Sequence, residues 1–146
     1  MIVGVHNCNW WNVKNDPAGR WTWDGSIGSD AEGHAMFMPG QEFWAARAFV
    51  RNSAQMIHNG GDTPRRFFQR YTHVVKDQLP YAEFVAGELN MGLDDPFEIF
   101  DGDEIVDEER LIRLMKAVPQ YEIFRGFVVC EAVIRTGIAA YERTWG

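Results

Sequence analysis

Basic charge is what this 146-residue chain has least of: 14 Lys and Arg stand against 21 Asp and Glu, a net charge of −7. No basic surface is on offer to neutralise a phosphate backbone, which argues against a nucleic-acid partner. Cysteine is nearly absent. Cys8 and Cys130 sit near opposite ends and cannot build a disulfide scaffold, although a single bridge between them stays open. No C-x-x-C or H-E-x-x-H spacing occurs and His6-Asn7-Cys8 is an isolated pair, so neither a metal nor another cofactor is expected. Gly25-Ser26-Ile27-Gly28 is no nucleophile elbow, and no glycine-rich loop has phosphate-cradling spacing. Apolar runs are broken by Glu, Arg or Lys before they could span a bilayer, and the first five residues lack the basic and apolar segments of a signal peptide; no membrane partner is expected.

What the chain does have is aromatic side chains, 14% of all residues, in an otherwise average composition of 46% hydrophobic and 24% charged residues. Four of the six Trp fall between Trp10 and Trp23, interleaved with Asn7, Asn9 and Asn12. Indole faces stack on the C–H faces of sugar rings, and amides both donate to and accept from hydroxyl and acetamido groups, so this composition suits a carbohydrate groove. Trp clusters also make protein–protein contacts, and Trp11 and Trp23 read in part as core anchors.

Periodicity predicts one mainly α domain over residues 1–146. The Asn-, Asp-, Gly- and Trp-rich front up to Gly40 reads as irregular backbone with a small β-hairpin within residues 21–37. Apolar positions at three- and four-residue steps predict a helix over residues 41–58, stopped by Gly60-Gly61. Thr63-Pro64 caps a second helix running toward Gln78, and Pro80 opens a third that closes near Asn90-Met91-Gly92. The acidic residues 94–109 read as a loop with a turn about Pro96, without calcium-loop spacing. A fourth helix starts near Asp107 and is kinked or ended by Pro119, and a last one spans residues 128–141.

Glu122 is the candidate catalytic acid. It follows the Pro119 bend and is flanked by Tyr121, Ile123 and Phe124, the setting in which a fold raises a carboxyl pKa. A plain surface glutamate is the alternative. Glu131 and Glu142 in the last helix compete for the role, Glu131 also reading as a buried structural acid.

The order Asn9-Trp10-Trp11-Asn12-Val13-Lys14, Trp23-Asp24-Gly25, Phe37 with Pro39-Gly40, and a helix containing Ala45-Ala46-Arg47-Ala48 resembles the phage-associated lysozyme-like proteins. The likeness continues through residues 63–71, 81–86 and 91–96 to Leu114-Met115-Lys116-Ala117-Val118 and Glu122. It implies a lysozyme-like helical domain, permuted relative to glucosaminidases and lytic transglycosylases, whose catalytic Glu precedes the Asn segment. The implied activity is cleavage of the peptidoglycan glycan strand, as a lytic transglycosylase or a muramidase. Glu122 would be the acid, with Asn9, Trp10, Asn12, Trp21 and Trp23 shaping the substrate groove. Asp24 or Asp30 would be the second carboxylate of a hydrolase, and Arg20 and Arg47 would meet peptide-stem carboxylates.

Bacterial peptidoglycan is then the expected partner, with other virion proteins as further ones. The expected location is a virion, or the host cytoplasm and then the periplasm. Trp10-Trp11 replaces the family's Pro-Gly, and Ile123-Phe124 its Asn-Gly. These departures motivate an alternative: a catalytically decayed, lysozyme-like virion protein whose aromatic surface docks a neighbouring protein.

Overall fold

The computed structural model describes residues 2–146. Six helices and two small antiparallel strand pairs make it mainly α: α1 (Val3–His6), β1 (Gly28–Ser29), β2 (Ala35–Met36), α2 (Phe43–His58), α3 (Pro64–Tyr71), α4 (Val75–Glu88), β3 (Phe100–Asp101), β4 (Glu104–Ile105), α5 (Glu108–Glu122) and α6 (Glu131–Thr144).

The central pair is α2 with α6. The buried face of α2 carries Ala45, Ala46, Ala48, Phe49, Val50 and Ala54. Gly137 of α6 lies so close that a Cβ there would come 2.4 Å from the Ala46 Cβ, so the two backbones touch where both side chains are small. α3 is capped as its sequence predicts, with the Thr63 side chain accepting from the Arg66 N–H and Pro64 in the first turn.

The second and third helices divide differently from the sequence reading. α3 ends at Tyr71 instead of running toward Gln78, and α4 begins at Val75, so Pro80 lies inside α4 rather than at its start. Thr72 is extended and its hydroxyl accepts from the Val74 N–H, a local turn that competes with helix continuation. Gln78 then reaches back and donates to the Gln69 and Thr72 carbonyls left open by the end of α3. This reversal lays Tyr81 against Phe68, ring centroids 4.2 Å apart and stacked. α4 closes with Asn90 at φ +53, its N–H bonded to the Gly87 carbonyl and that of Met91 to the Ala86 carbonyl.

The acidic loop contains a hairpin that periodicity missed. β3 and β4 are joined through Gly102 and Asp103, with Gly102 at φ +59 in the first turn position. Two-residue strands are too short to show alternation. α5 starts where expected, with the Asp107 carboxylate accepting from the Arg110 N–H, and buries Leu111, Leu114, Met115 and Val118. The last helix begins at Glu131, not at residue 128, and runs on to Thr144.

The irregular front is stitched by its asparagines. Asn9 is buried; its amide donates to the Val13 and Ala35 carbonyls and accepts from the Val13 N–H. Asn15 ties Ser26, Gly28 and Ser29 together and accepts from the Trp23 N–H. The expected hairpin is β1–β2, and an isolated bridge between Lys14 and His34 joins it to the segment that carries Asn12. Side-chain amides here do what a helix or sheet ladder does elsewhere.

Candidate active site

Pro119 explains how the two ends of the chain meet. Inside α5 it has no N–H to give the Met115 carbonyl, which would be left open in a buried turn. The indole N–H of Trp11, a wholly buried residue, donates to that carbonyl at 2.9 Å. The hydroxyl of Tyr71, the last residue of α3, donates to the Trp11 carbonyl. Trp11 is thereby fixed at side chain and backbone. The next residue, Asn12, is held at φ +51, a left-handed conformation that Asn tolerates better than most residues.

Glu122, the last residue of α5, receives both anchors. The Asn12 amide donates to Oε2 at 3.1 Å, and the Tyr81 hydroxyl donates to Oε1, also at 3.1 Å. The Tyr81 ring cannot swing away, because it is stacked between Phe68 and Tyr121, the latter at 4.0 Å. The front segment, α4 and α5 thus converge on one carboxyl group.

Burial pushes the Glu122 pKa up. The Asn12 and Tyr81 hydrogen bonds and the charges of His34 and Lys14 pull it back without cancelling the rise. The negative end of α5 also disfavours charge at this position. Burial and then the Glu122 charge push the Tyr71 and Tyr81 phenols well up, so both remain protonated donors. Glu122 is therefore a desolvated acid with fixed, neutral hydrogen-bond donors on both oxygens.

The carboxyl group opens on a cleft of about 420 Å³. Its walls include Val3 from α1, Lys14, Glu32 and His34 from the front, Tyr71 and His73 around the α3–α4 turn, and Asp77 from α4. His34 is oriented by Asp30: Nδ1 lies 3.0 Å from Oδ2, while Oδ1 accepts from the Glu32 and His34 N–H groups and Asn7 donates to Oδ2. Burial pushes the Asp30 carboxyl up, but hydrogen bonds from Asn7, the His34 backbone and the His34 ring outweigh it and leave the pKa lowered.

Of the residues singled out by sequence, Glu122 and Asn12 come together in this cleft. The others lie outside its lining. Asn9 is a buried backbone tie, and Trp10 is half-buried against Trp11 and Phe127. Trp21 and Trp23 meet edge to face at 5.2 Å, with the Trp23 indole N–H bonded to the Lys14 carbonyl; Trp21 is 48% exposed. Asp24 is ion-paired with the buried Arg47 at 3.1 Å, and Asp30 supports His34, so neither carboxylate faces Glu122 across the cleft. The carboxylates that line it are Glu32 and Asp77.

Arg20 is committed to Asp16, and Arg47 lies over the Trp145 ring, 4.3 Å from its centroid. Glu131 is exposed and bridges Lys116 and Arg135, and Glu142 is exposed. Cys8 is buried, Cys130 exposed, and both are free thiols.

Lys14, Glu32, His34, Tyr71, His73, Asp77 and Tyr81 carried no individual signal. Asp30-x-x-x-His34 was the nearest to one, since an Asp four residues before a His can hold the ring. Among the described residues no cluster of three His, Cys, Asp or Glu side chains is arranged to hold a metal ion, and no helix is long and apolar enough to cross a membrane. No protein-family model matches the chain, and comparison with curated proteins finds no similar sequence.

Proposed function

We propose that the chain cleaves the glycan strand of bacterial peptidoglycan, as a phage-type lytic transglycosylase or muramidase with Glu122 as general acid and base. The observation that carries this reading is a desolvated carboxyl group, raised in pKa and held by Asn12 and Tyr81, at the wall of an open polar cleft. Such a group holds its proton to higher pH than an exposed glutamate does and delivers it in a fixed direction.

The protonated Glu122 gives its proton to the glycosidic oxygen. The C1–O bond breaks with the electron pair leaving on that oxygen, and an oxocarbenium-like centre forms at C1. The Asn12 amide and the Tyr81 hydroxyl stabilise the carboxylate left behind. The sugar's own hydroxyl or a water molecule then adds to C1 and returns a proton to Glu122, giving an anhydro or a reducing terminus respectively. A single carboxylate suffices for the first outcome. A hydrolase needs a partner, for which Glu32 and Asp77 are placed on the cleft wall. The source of the enzyme on this reading is a virion, or a host cytoplasm from which it reaches the periplasm.

Digestion of purified sacculi tests the proposal. The wild-type protein releases soluble muropeptides and Glu122→Gln, folded by circular dichroism, releases none; retained activity in that variant overturns the role of Glu122. A second reading has its own support. Trp21 is exposed outside the cleft, as suits a decayed lysozyme-like virion protein that docks a neighbouring virion protein through its aromatic surface. A zymogram separates the two readings, since a lysis band from the isolated chain excludes the purely structural role.

A further inference from the structure

A second pocket of about 250 Å³ opens beside the Glu122 cleft and shares Asn12, Lys14, Tyr71 and His73 with it. It adds Asn52 and Arg70, and no carboxylate lines it. Lys14 and Arg70 are two of six Lys and Arg side chains with no carboxylate partner among the described residues, the others being Lys76, Arg113, Arg125 and Arg143, and they are the two that share a pocket. Arg70 spends Nη1 on the Asn59 carbonyl beyond the end of α2, which fixes the guanidinium without neutralising it. The Asn52 amide has only the Met56 sulfur, 3.6 Å away, a weak acceptor.

The shared wall makes the two pockets parts of one groove. The first pocket adds Glu32 and Asp77, which repel an anion, whereas the second adds Arg70 to the Lys14 that both share. We infer that the second pocket is an anion subsite that takes a carboxylate of the substrate strand, borne on the lactyl group of a stem-free amino sugar or on the peptide stem, while the neighbouring glycosidic bond lies at Glu122. This rests on the glycan-cleaving reading above. It adds a direction: the carboxylate-bearing unit of the strand occupies the Arg70 pocket, and the neutral sugar the cleft lined by Glu32 and Asp77.

The test uses the full chain carrying Glu122→Gln, so that ligands stay intact. Affinities are measured by NMR titration for N-acetylmuramic acid, for muramyl dipeptide and for neutral N-acetylglucosamine, at low and high salt. The carboxylate ligands bind more tightly than the neutral one, with an advantage that shrinks as salt rises. Adding Lys14→Met weakens them about tenfold, the scale of one hydrogen bond to a charged group, and Lys14→Arg restores most of the loss. Lys14 is the informative position because its side chain is exposed, whereas Arg70→Gln also removes the tie to Asn59.

Preference for muramyl dipeptide alone assigns the site to the stem carboxylate, preference for N-acetylmuramic acid alone assigns it to the lactyl carboxylate, which is an amide in the dipeptide, and equal binding of both acids shows a subsite that takes either. Affinities indifferent to Lys14, or equal for neutral and acidic ligands, overturn the subsite even if sacculi are digested. Lys14-dependent binding by a protein that digests nothing leaves the subsite standing and removes the cleavage reading instead.

Discussion

Replacing Trp11 by Phe removes the indole donor that serves the Met115 carbonyl in place of the N–H that Pro119 lacks. A buried carbonyl left without a partner costs about 1–3 kcal/mol. The smaller ring adds a packing loss, for a total near 2–4 kcal/mol. Pro119→Ala supplies an N–H at the position from which an α-helix satisfies the carbonyl four residues back. In the wild-type background that N–H meets an acceptor already bonded to Trp11. In the Trp11→Phe background it rescues an orphan.

The double-mutant cycle therefore shows a coupling of about 1–2 kcal/mol, with Pro119→Ala markedly more stabilising when Trp11 is Phe. Urea unfolding monitored by circular dichroism gives all four stabilities, provided the m-values agree. Strict additivity, within about 0.5 kcal/mol, would refute the shared-acceptor argument. Trp11→Phe also loosens Asn12, so on the proposed function it lowers cleavage more than its stability loss explains.

Three further outcomes follow from the electrostatics. The folded-state pKa of Glu122 is raised, chiefly by burial, so its ionisation opposes folding at neutral pH, and Glu122→Gln is more stable and melts at a higher temperature than wild type at pH 7. That gain shrinks as pH falls through the folded pKa and vanishes below the unfolded one, and thermal melts from pH 7 to pH 3 showing a constant difference contradict it. Tyr81→Phe deletes a donor to Oε1, pushes the Glu122 pKa further up, and moves the alkaline limb of kcat/KM to higher pH, while an unmoved limb rules out Tyr81 as its modulator. Asp30→Asn weakens a carboxylate that accepts from Asn7, Glu32 and the backbone and ring nitrogens of His34, costing about 1–3 kcal/mol. The Asp30 pKa is lowered, so its contribution is present above the unfolded carboxylate pKa and is lost as pH falls through the folded one; equal stability of the variant at pH 7 in urea contradicts this.

Helical periodicity located α2 and α5 because their buried stripes are long, and the starts of α3 and α5 were legible because their caps are local: Thr63 and Asp107 act on N–H groups three residues away. It failed at Thr72, where a single hydroxyl and the distant Gln78 amide decide that one stripe becomes two helices. It failed at β3–β4, where two residues per strand leave no alternation to read. Glu122 was visible because Pro119 and its aromatic neighbours adjoin it in sequence. The walls of its cleft were not, since Lys14, His34 and Asp77 come from three segments joined only by folding. The tryptophans carried the strongest composition signal, yet the cleft lining holds none of them. Trp11 serves as a core tie instead, and the amides between the indoles brace irregular backbone.

The most direct measurement is mass analysis of the products formed when the purified wild-type chain and its Glu122→Gln variant are each incubated with sacculi. The account predicts disaccharide-peptide fragments, ending in an anhydro or a reducing sugar, from the wild type alone. Undigested sacculi from a folded wild-type protein, or the same fragments from both proteins, would contradict it.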